Sequence, residues 1–415
     1  MLLAHHRALI DSAVPSGVRL GAAKLGLAFG CVALAACGSN DASIRETLRI
    51  DGLTTGGELG FRFGAPLDID GDGELDVVAG SRRGGANGFG EASVWSRGEV
   101  VLYWGSDELD ALFGHVTLAV PDLDGDGTPD IIVSAPNALG RGHVDAHSGR
   151  DGALLWTTPG AMYDGFGWHV ALAPDLDDDR VPDLWVGAPS NPATGHVYVV
   201  SGRTGAIVQT IVGPGDSAQF GWYVVPLGND VAIGAPTERF GGGRRGAVHI
   251  VSRDGTERLR VSGEIVDHQF GEMLAALDDL DGDGTPELAV AAVGEGLMPS
   301  SIPSEVSIVS GASGTRLHLL NESEPGELYG RMLTTVSDLD GDGLRELAVG
   351  APWWNGRNGR IEIRSTASYA LLGEIRGTEN GWLGWHIAPA GDNGMLASQL
   401  HARADTGAVV LYDLR

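Results

Sequence analysis

Short runs of alternating apolar and polar residues recur along the chain, each closed by glycine, proline or a serine-glycine pair. They are easiest to read in residues 166–212: FGWHVALA (166–173), DLWVGAP (183–189), GHVYVVSG (195–202) and AIVQTIV (206–212). Alternation with period two, bounded by turn residues, predicts β-strands. Four such strands in a row, joined by tight turns, predict one antiparallel four-stranded sheet. The same order returns as IIVSAP then GHVDAHSG, as VAIGAP then GAVHIVS, and as LAVGAP then GRIEIRS.

Seven repeats are marked by their openings: Phe63-Gly64, Phe113-Gly114, Phe166-Gly167, Phe220-Gly221, Phe270-Gly271, Tyr329-Gly330 and Leu383-Gly384. Successive intervals of 50, 53, 54, 50, 59 and 54 residues describe units that bury their apolar faces only against their neighbours. The expected fold is all-β, a seven-bladed β-propeller of four-stranded antiparallel blades over residues 44–415. The last repeat stops after its third strand, GAVVLYDLR (407–415). A spare strand at 43–50, with Ile44, Leu48 and Ile50 on one face, is expected to complete the last blade and leave no open edge there.

Five repeats carry alternating carboxylates after their first strand. They are Asp68, Asp70, Asp72 and Asp76; Asp122, Asp124, Asp126 and Asp130; Asp175, Asp177, Asp179 and Asp183; Asp279, Asp281, Asp283 and Glu287; and Asp338, Asp340, Asp342 and Glu346. Calcium takes six to eight oxygens at a flexible distance. Carboxylates at positions 1, 3, 5 and 9 of a tight turn, with glycine at 6, supply them. About five structural Ca2+ ions are expected. In the third loop Arg180 stands where the others have glycine, so this site is expected to be the weakest. The fourth and seventh repeats have only Leu227-Gly228-Asn229-Asp230 and Gly391-Asp392-Asn393-Gly394, too short to wrap an ion.

Phe-Gly, an acidic loop with its last carboxylate at position 9, and Gly-Ala-Pro occur in that order. In this the units resemble the FG-GAP repeats of the integrin α-subunit propeller, over almost all of 44–415. The resemblance implies that the metal loops sit on one rim, away from the ligand face, and that the ions act as structural staples. It implies a binding or adhesion module. A polysaccharide-active hydrolase or lyase on a propeller scaffold, and a structural scaffold within an envelope complex, are the alternatives. No nucleophile elbow, zinc motif or phosphate loop stands out of the repeat, so a catalytic role is not expected.

The net charge of −27 points to metal before any basic partner, since the five loops hold twenty of the 55 acidic residues. It also argues against nucleic acid, whose phosphates would be repelled. Residues 25–36, LGLAFGCVALAA, follow Arg19 and Lys24 as the h-region of a signal peptide (1–36). Leu34-Ala35-Ala36-Cys37 resembles the lipobox of bacterial lipoproteins, which makes Cys37 the expected lipidation site. The mature protein is then tethered by residues 37–43 to the cell envelope, at the outer membrane. The lipid anchor would be its sole membrane contact. With Cys31 removed in the signal peptide, no internal disulfide is possible, and metal must do that work.

An unknown protein or glycan partner is expected on the rim opposite the metal loops, where aromatic and arginine side chains gather. The candidates are Trp95 in the 81–98 segment, Phe240, Arg244 and Arg245 in 237–246, and Trp353 and Trp354 in 352–359; the apolar 293–303 segment is a fourth rim loop. Trp168, Trp222 and Trp385, with His169, Tyr223 and His386 beside them, are expected to pack between blades. His143, Asp145 and His147 are expected to form a polar inter-blade face.

Overall fold

The apolar runs become strands close to the expected bounds: in the third repeat His169–Leu172, Leu184–Ala188, His196–Val200 and Ile207–Val212. They pair in chain order, each antiparallel to the next, with Trp185 opposite Ala171 on one side and Val199 on the other. The computed structural model describes residues 44–415, apart from 191–193, 216, 294–302, 323–325 and 379. The signal segment, Cys37 and the tether lie outside the described residues, as does most of the 293–303 rim loop.

Seven such sheets, here blades 1 to 7 in repeat order, make the propeller. In blade 1 three strands are regular, Val77–Ser81, Glu91–Ser96 and Glu99–Gly105. Its innermost segment is held by single pairings of Leu59 with Ser81 and Leu67 with Asp76. Blade 7 takes Leu383–Ala390, Gly394–Gln399 and Ala408–Asp413 from the end of the chain and Arg45–Asp51 from its beginning. Arg45 lies opposite Asp413 and Ile50 opposite Val409, so the ring closes strand to strand as expected.

Burial follows position in the blade. The second strand of blade 3, Leu184–Ala188, is buried throughout because blades cover both its faces. The outermost strand, Ile207–Val212, is mostly exposed. Its counterpart in blade 4, Glu257–Ser262, alternates charged and apolar residues, which protects an open edge from pairing with another chain.

The repeat glycines mark the place where blades touch. The Gly167 N–H donates to the Gly187 carbonyl of the same blade at 3.1 Å. A Cβ on Gly187 would stand 2.1 Å from the Gly221 carbonyl of the next blade. No side chain fits at that contact, so each Gly-Ala-Pro glycine is set by the Phe-Gly of its neighbour. This geometry corrects the first opening. Gly60, not Gly64, has the positive φ shared by Gly114, Gly167 and Gly221, and its N–H donates to Gly80 at 2.9 Å. Leu59-Gly60 therefore opens blade 1, four residues before Phe63-Gly64.

Candidate functional site

In an antiparallel blade the turns after the first and third strands share one rim. The acidic loops follow first strands, so all five lie on that rim. Each is built the same way. Asp68 accepts the N–H groups of Gly71 at 2.7 Å, Asp72 at 3.1 Å and Gly73 at 3.0 Å. Asp76 at position 9 is fully buried and accepts from Ile69 at 2.8 Å. The loop is thus shaped by its own backbone, leaving carboxylate oxygens turned inward.

Five groups converge to within 4.8 Å: Asp68, Asp70 and Asp76; Asp122, Asp124 and Asp130; Asp175, Asp177 and Asp183; Asp279, Asp281, Asp283 and Glu287; and Asp338, Asp340 and Glu346. Oxygens about 2.4 Å from one calcium ion stand at most about 4.8 Å apart, so the spacing fits that cation. Buried Glu287 Oε1 and Glu346 Oε2 have no hydrogen-bond partner, which a cation would provide. Burial, with the charges of Asp124 and Asp122 nearby, pushes Asp130 up to about 6. Burial also raises Asp76, Asp183, Glu287 and Glu346.

The third aspartate separates the loops. Asp72, Asp126 and Asp179 stand outside their clusters, and each is held by an arginine from the turn after the third strand. The pairs are Arg97–Asp72 at 2.8 Å, Arg150–Asp126 at 3.2 Å and Arg203–Asp179 at 3.1 Å. In blade 5 Asp283 is part of the group. Asp342, expected as a ligand, is not part of the blade 6 group. Loop 3 carries the backbone strain expected of it: Arg180 has φ 72° and Asp178 φ 64°, where Gly73 and Gly71 stand in loop 1. The short fourth turn is a hairpin between Val224–Leu227 and Asp230–Ala235, with Asp230 paired to Arg258 at 2.7 Å.

On the opposite rim the candidate contact residues divide. Trp95 does not belong there: Glu91–Ser96 is a strand, and Trp95 is buried with its Nε1 donating to Ser93 at 2.7 Å. Its alternating neighbours form a strand that the length of the 81–98 segment concealed. Trp353 is also buried, edge-on to Trp382 at 5.8 Å, and so packs over the blade edge. The Arg357 guanidinium lies 4.8 Å from the Trp353 ring and 5.5 Å from Trp382. Half-buried Trp354 sits 5.4 Å from both Arg360 and Arg376. In blade 4, Phe240 and Arg244 lie on a small hairpin. Arg260 stacks on Phe240 at 4.1 Å, Arg244 faces Asp267 at 3.4 Å, and Arg245 donates to the Glu264 carbonyl.

The residues just after the repeat glycines form a second feature, which their strand positions did not announce. Trp222, Trp168, His115, Phe61 and Trp385 make a chain of ring contacts about the axis, at 4.8, 4.8, 4.9 and 5.8 Å, and Arg331 stacks on Trp385 at 4.1 Å. Trp168, Trp222 and Trp385, expected to pack between blades, join this chain at the centre of the ring. Arg62, one residue further along the first blade, crosses the axis and donates to the Trp168 carbonyl at 2.8 Å. Burial, then the charge of Arg331, pulls Arg62 down to about 9. Phe61, Arg62, His115, Glu272 and Arg331 carried no separate signal in the sequence. Correct alignment on Leu59-Gly60 would have put Arg62 level with His169, Tyr223 and His386.

A family model described as FG-GAP repeat matches residues 113–150 and 332–361. Integrin alpha-V of Gallus gallus is 30% identical over 215 residues, covering 45% of this chain and 20% of the relative. Integrin alpha pat-2 of Caenorhabditis briggsae is 29% identical over 287 residues, covering 62% and 20%. Integrin alpha-5 of Xenopus laevis is 32% identical over 217 residues, covering 45% and 20%. The chain thus spans about one fifth of the length of these relatives. A crystal structure of BBS1N in complex with ARL6DN aligns with TM-score 0.56 and 13% identity, over 89% of this chain and 96% of that one, and shows the fold alone. Together with the seven blades, these matches show a β-propeller with FG-GAP repeats at residues 113–150 and 332–361. It is integrin-α-like.

Proposed function

We propose that this propeller is a calcium-stapled binding or adhesion module, held at a bacterial cell envelope through Cys37, without catalytic activity. About five Ca2+ ions act as staples, and a protein or glycan docks on the opposite rim near Trp354, Arg357 and Phe240. The observation that carries this reading is the direction of the closing strand. Arg45 lies opposite Asp413, which itself lies opposite Gly394 beside the shortened loop 391–394. The described chain therefore enters at the metal-loop rim. A tether leading back to Cys37 would turn that rim toward the membrane and hold the aromatic rim outward. Supporting this, Trp354 and Arg357 offer aromatic and guanidinium surface of the kind that anchors interfaces.

The test is capture of envelope proteins and glycans on the immobilised protein in calcium, followed by elution with chelator. A discrete component that is retained by wild type and lost with Trp354→Ala/Arg357→Glu, at unchanged melting temperature, supports the reading. Equal retention by the variant removes this rim from it. Metabolic labelling with a palmitate analogue, abolished by Cys37→Ala, tests the anchor separately.

A further inference from the structure

A channel of 510 Å³ runs along the axis inside the first strands. Its wall is apolar, with Leu67, Leu118, Leu172, Val225 and Pro389 contributed by five different blades. These residues lie toward the metal-loop ends of their strands, and Leu172 is 38% exposed, so the channel opens on that rim. The inner end is polar. Arg62 bars it from blade 1 to blade 3, with His169 and Tyr223 beside it.

Arg62 is 4% exposed, its guanidinium lies 5.9 Å from the Phe61, Trp168 and Tyr223 rings, and among the described residues it makes one protein hydrogen bond, to Trp168. Among the described residues no carboxylate comes within ion-pair distance of it. A guanidinium has five donors in a fixed fork, so most of this one's donors have no protein partner among the described residues. His169 Nδ1 is likewise buried without a partner. Behind them lie Arg331 and Arg82, the latter paired with Glu58 at 2.8 Å, and Glu272 is a carboxylate whose charge offsets both Arg62 and Arg331. Two guanidiniums against one carboxylate leave a cationic spot at the centre of a strongly acidic chain. A buried cation without an anion is costly. A mostly apolar cavity of this size with a few convergent polar groups suits a small molecule.

We propose that this channel binds a monocarboxylate with an apolar tail, its carboxylate on Arg62 and His169 and its tail along the five-bladed wall. An inorganic anion would pair with Arg62 but leave the wall wet. A neutral amphiphile would cover the wall but leave the guanidinium unpaired. The site is independent of the rim described above.

Calorimetric titration of the full chain in calcium tests it, with sodium octanoate, sodium phosphate and octyl glucoside as probes. The expected result is one saturable octanoate site per chain, at least tenfold weaker for phosphate and for octyl glucoside. Arg62→Met should weaken octanoate at least tenfold while melting no lower than wild type, because an unpaired buried charge is gone. Ala171→Trp, which fills the channel and leaves Arg62 in place, should abolish binding. The proposal is overturned if octanoate shows no saturable heat, if Arg62→Met binds it equally, or if phosphate or octyl glucoside matches it. Should Arg62→Met fail to fold, undiminished octanoate binding to Ala171→Trp overturns it alone.

Discussion

Arg150 Nε lies 3.2 Å from the carboxylate of Asp126, the third aspartate of its own blade's metal loop. A bound cation would therefore have to compete with an arginine for one side chain, in loops 1, 2 and 3 alike. An exposed ion pair is worth about 0.2–1 kcal/mol, so the competition is modest. Arg97→Ala, Arg150→Ala or Arg203→Ala should each tighten calcium binding at one site by about two- to fivefold. Loops 5 and 6 should not change. Calcium titrations that separate the sites by loop knockouts would check this, and unchanged affinity in all three variants would mean that the arginines give way freely.

Arg180 holds φ 72° with no glycine to permit it, at a cost of about 1 kcal/mol. At the matching Gly73 a Cβ would meet nothing within 4 Å, so conformation rather than crowding sets the cost. Arg180→Gly should raise the calcium affinity of loop 3 about fivefold, and loop 3 should be the weakest site in wild type. Isothermal titration of the variant beside wild type decides it.

Removing the ions should destabilise the ring as a whole. A site filled at one hundred times its Kd contributes about 2.7 kcal/mol, and five such sites add together. Chelation is expected to lower the melting temperature by many degrees and readdition of calcium to restore it. A melt that ignores chelator would end the staple role.

Three buried histidines give a pH dependence whose sign can be worked out. Burial, then the charges of Arg62 and Arg331, lowers His386 to about 3, and burial first also holds His115 and His169 well below their ordinary value. The unfolded chain takes up these protons near pH 6.5, while the folded chain refuses them. Stability is therefore present above about pH 6.5 and is lost as pH falls below it. His386→Leu, which also loses the bond to the Phe63 carbonyl, should be less stable at neutral pH. Its stability should then fall less steeply between about pH 6 and pH 4, by about 1.4 kcal/mol per pH unit. Urea unfolding at several pH values would show whether the slopes differ.

The closing strand makes a further prediction. Deleting residues 45–51 exposes the edge Ala408–Asp413 and the apolar faces that Leu48 and Ile50 cover. The protein should melt well below wild type and associate through the open edge. A deletion variant that melts normally and stays monomeric by light scattering would contradict the closure.

Much of this architecture was legible in the chain because propeller blades are local. Leu184–Ala188 and its partners are neighbours in sequence, so period two and turn glycines sufficed. The metal loops were legible for the same reason, each lying within nine residues. What escaped depends on geometry across the ring. Phe63-Gly64 looked like an opening, yet the position demands a glycine at positive φ against Gly80, and Leu59-Gly60 meets that demand. Trp95 and Trp353 looked like rim anchors because aromatic residues in long segments carry no mark of burial. Arg62 meets Trp168 over a separation of 106 residues, and no local pattern could announce that.

The closing strand also sets how the ring would bear load. Tension drawn through the N-terminus runs along the axis of Arg45–Asp51, which is paired antiparallel to Ala408–Asp413. The paired residues then resist in shear, all at once, instead of peeling one by one. A tethered propeller pulled by whatever it holds would meet that force with its most cooperative joint, and the same strand would be the first to yield.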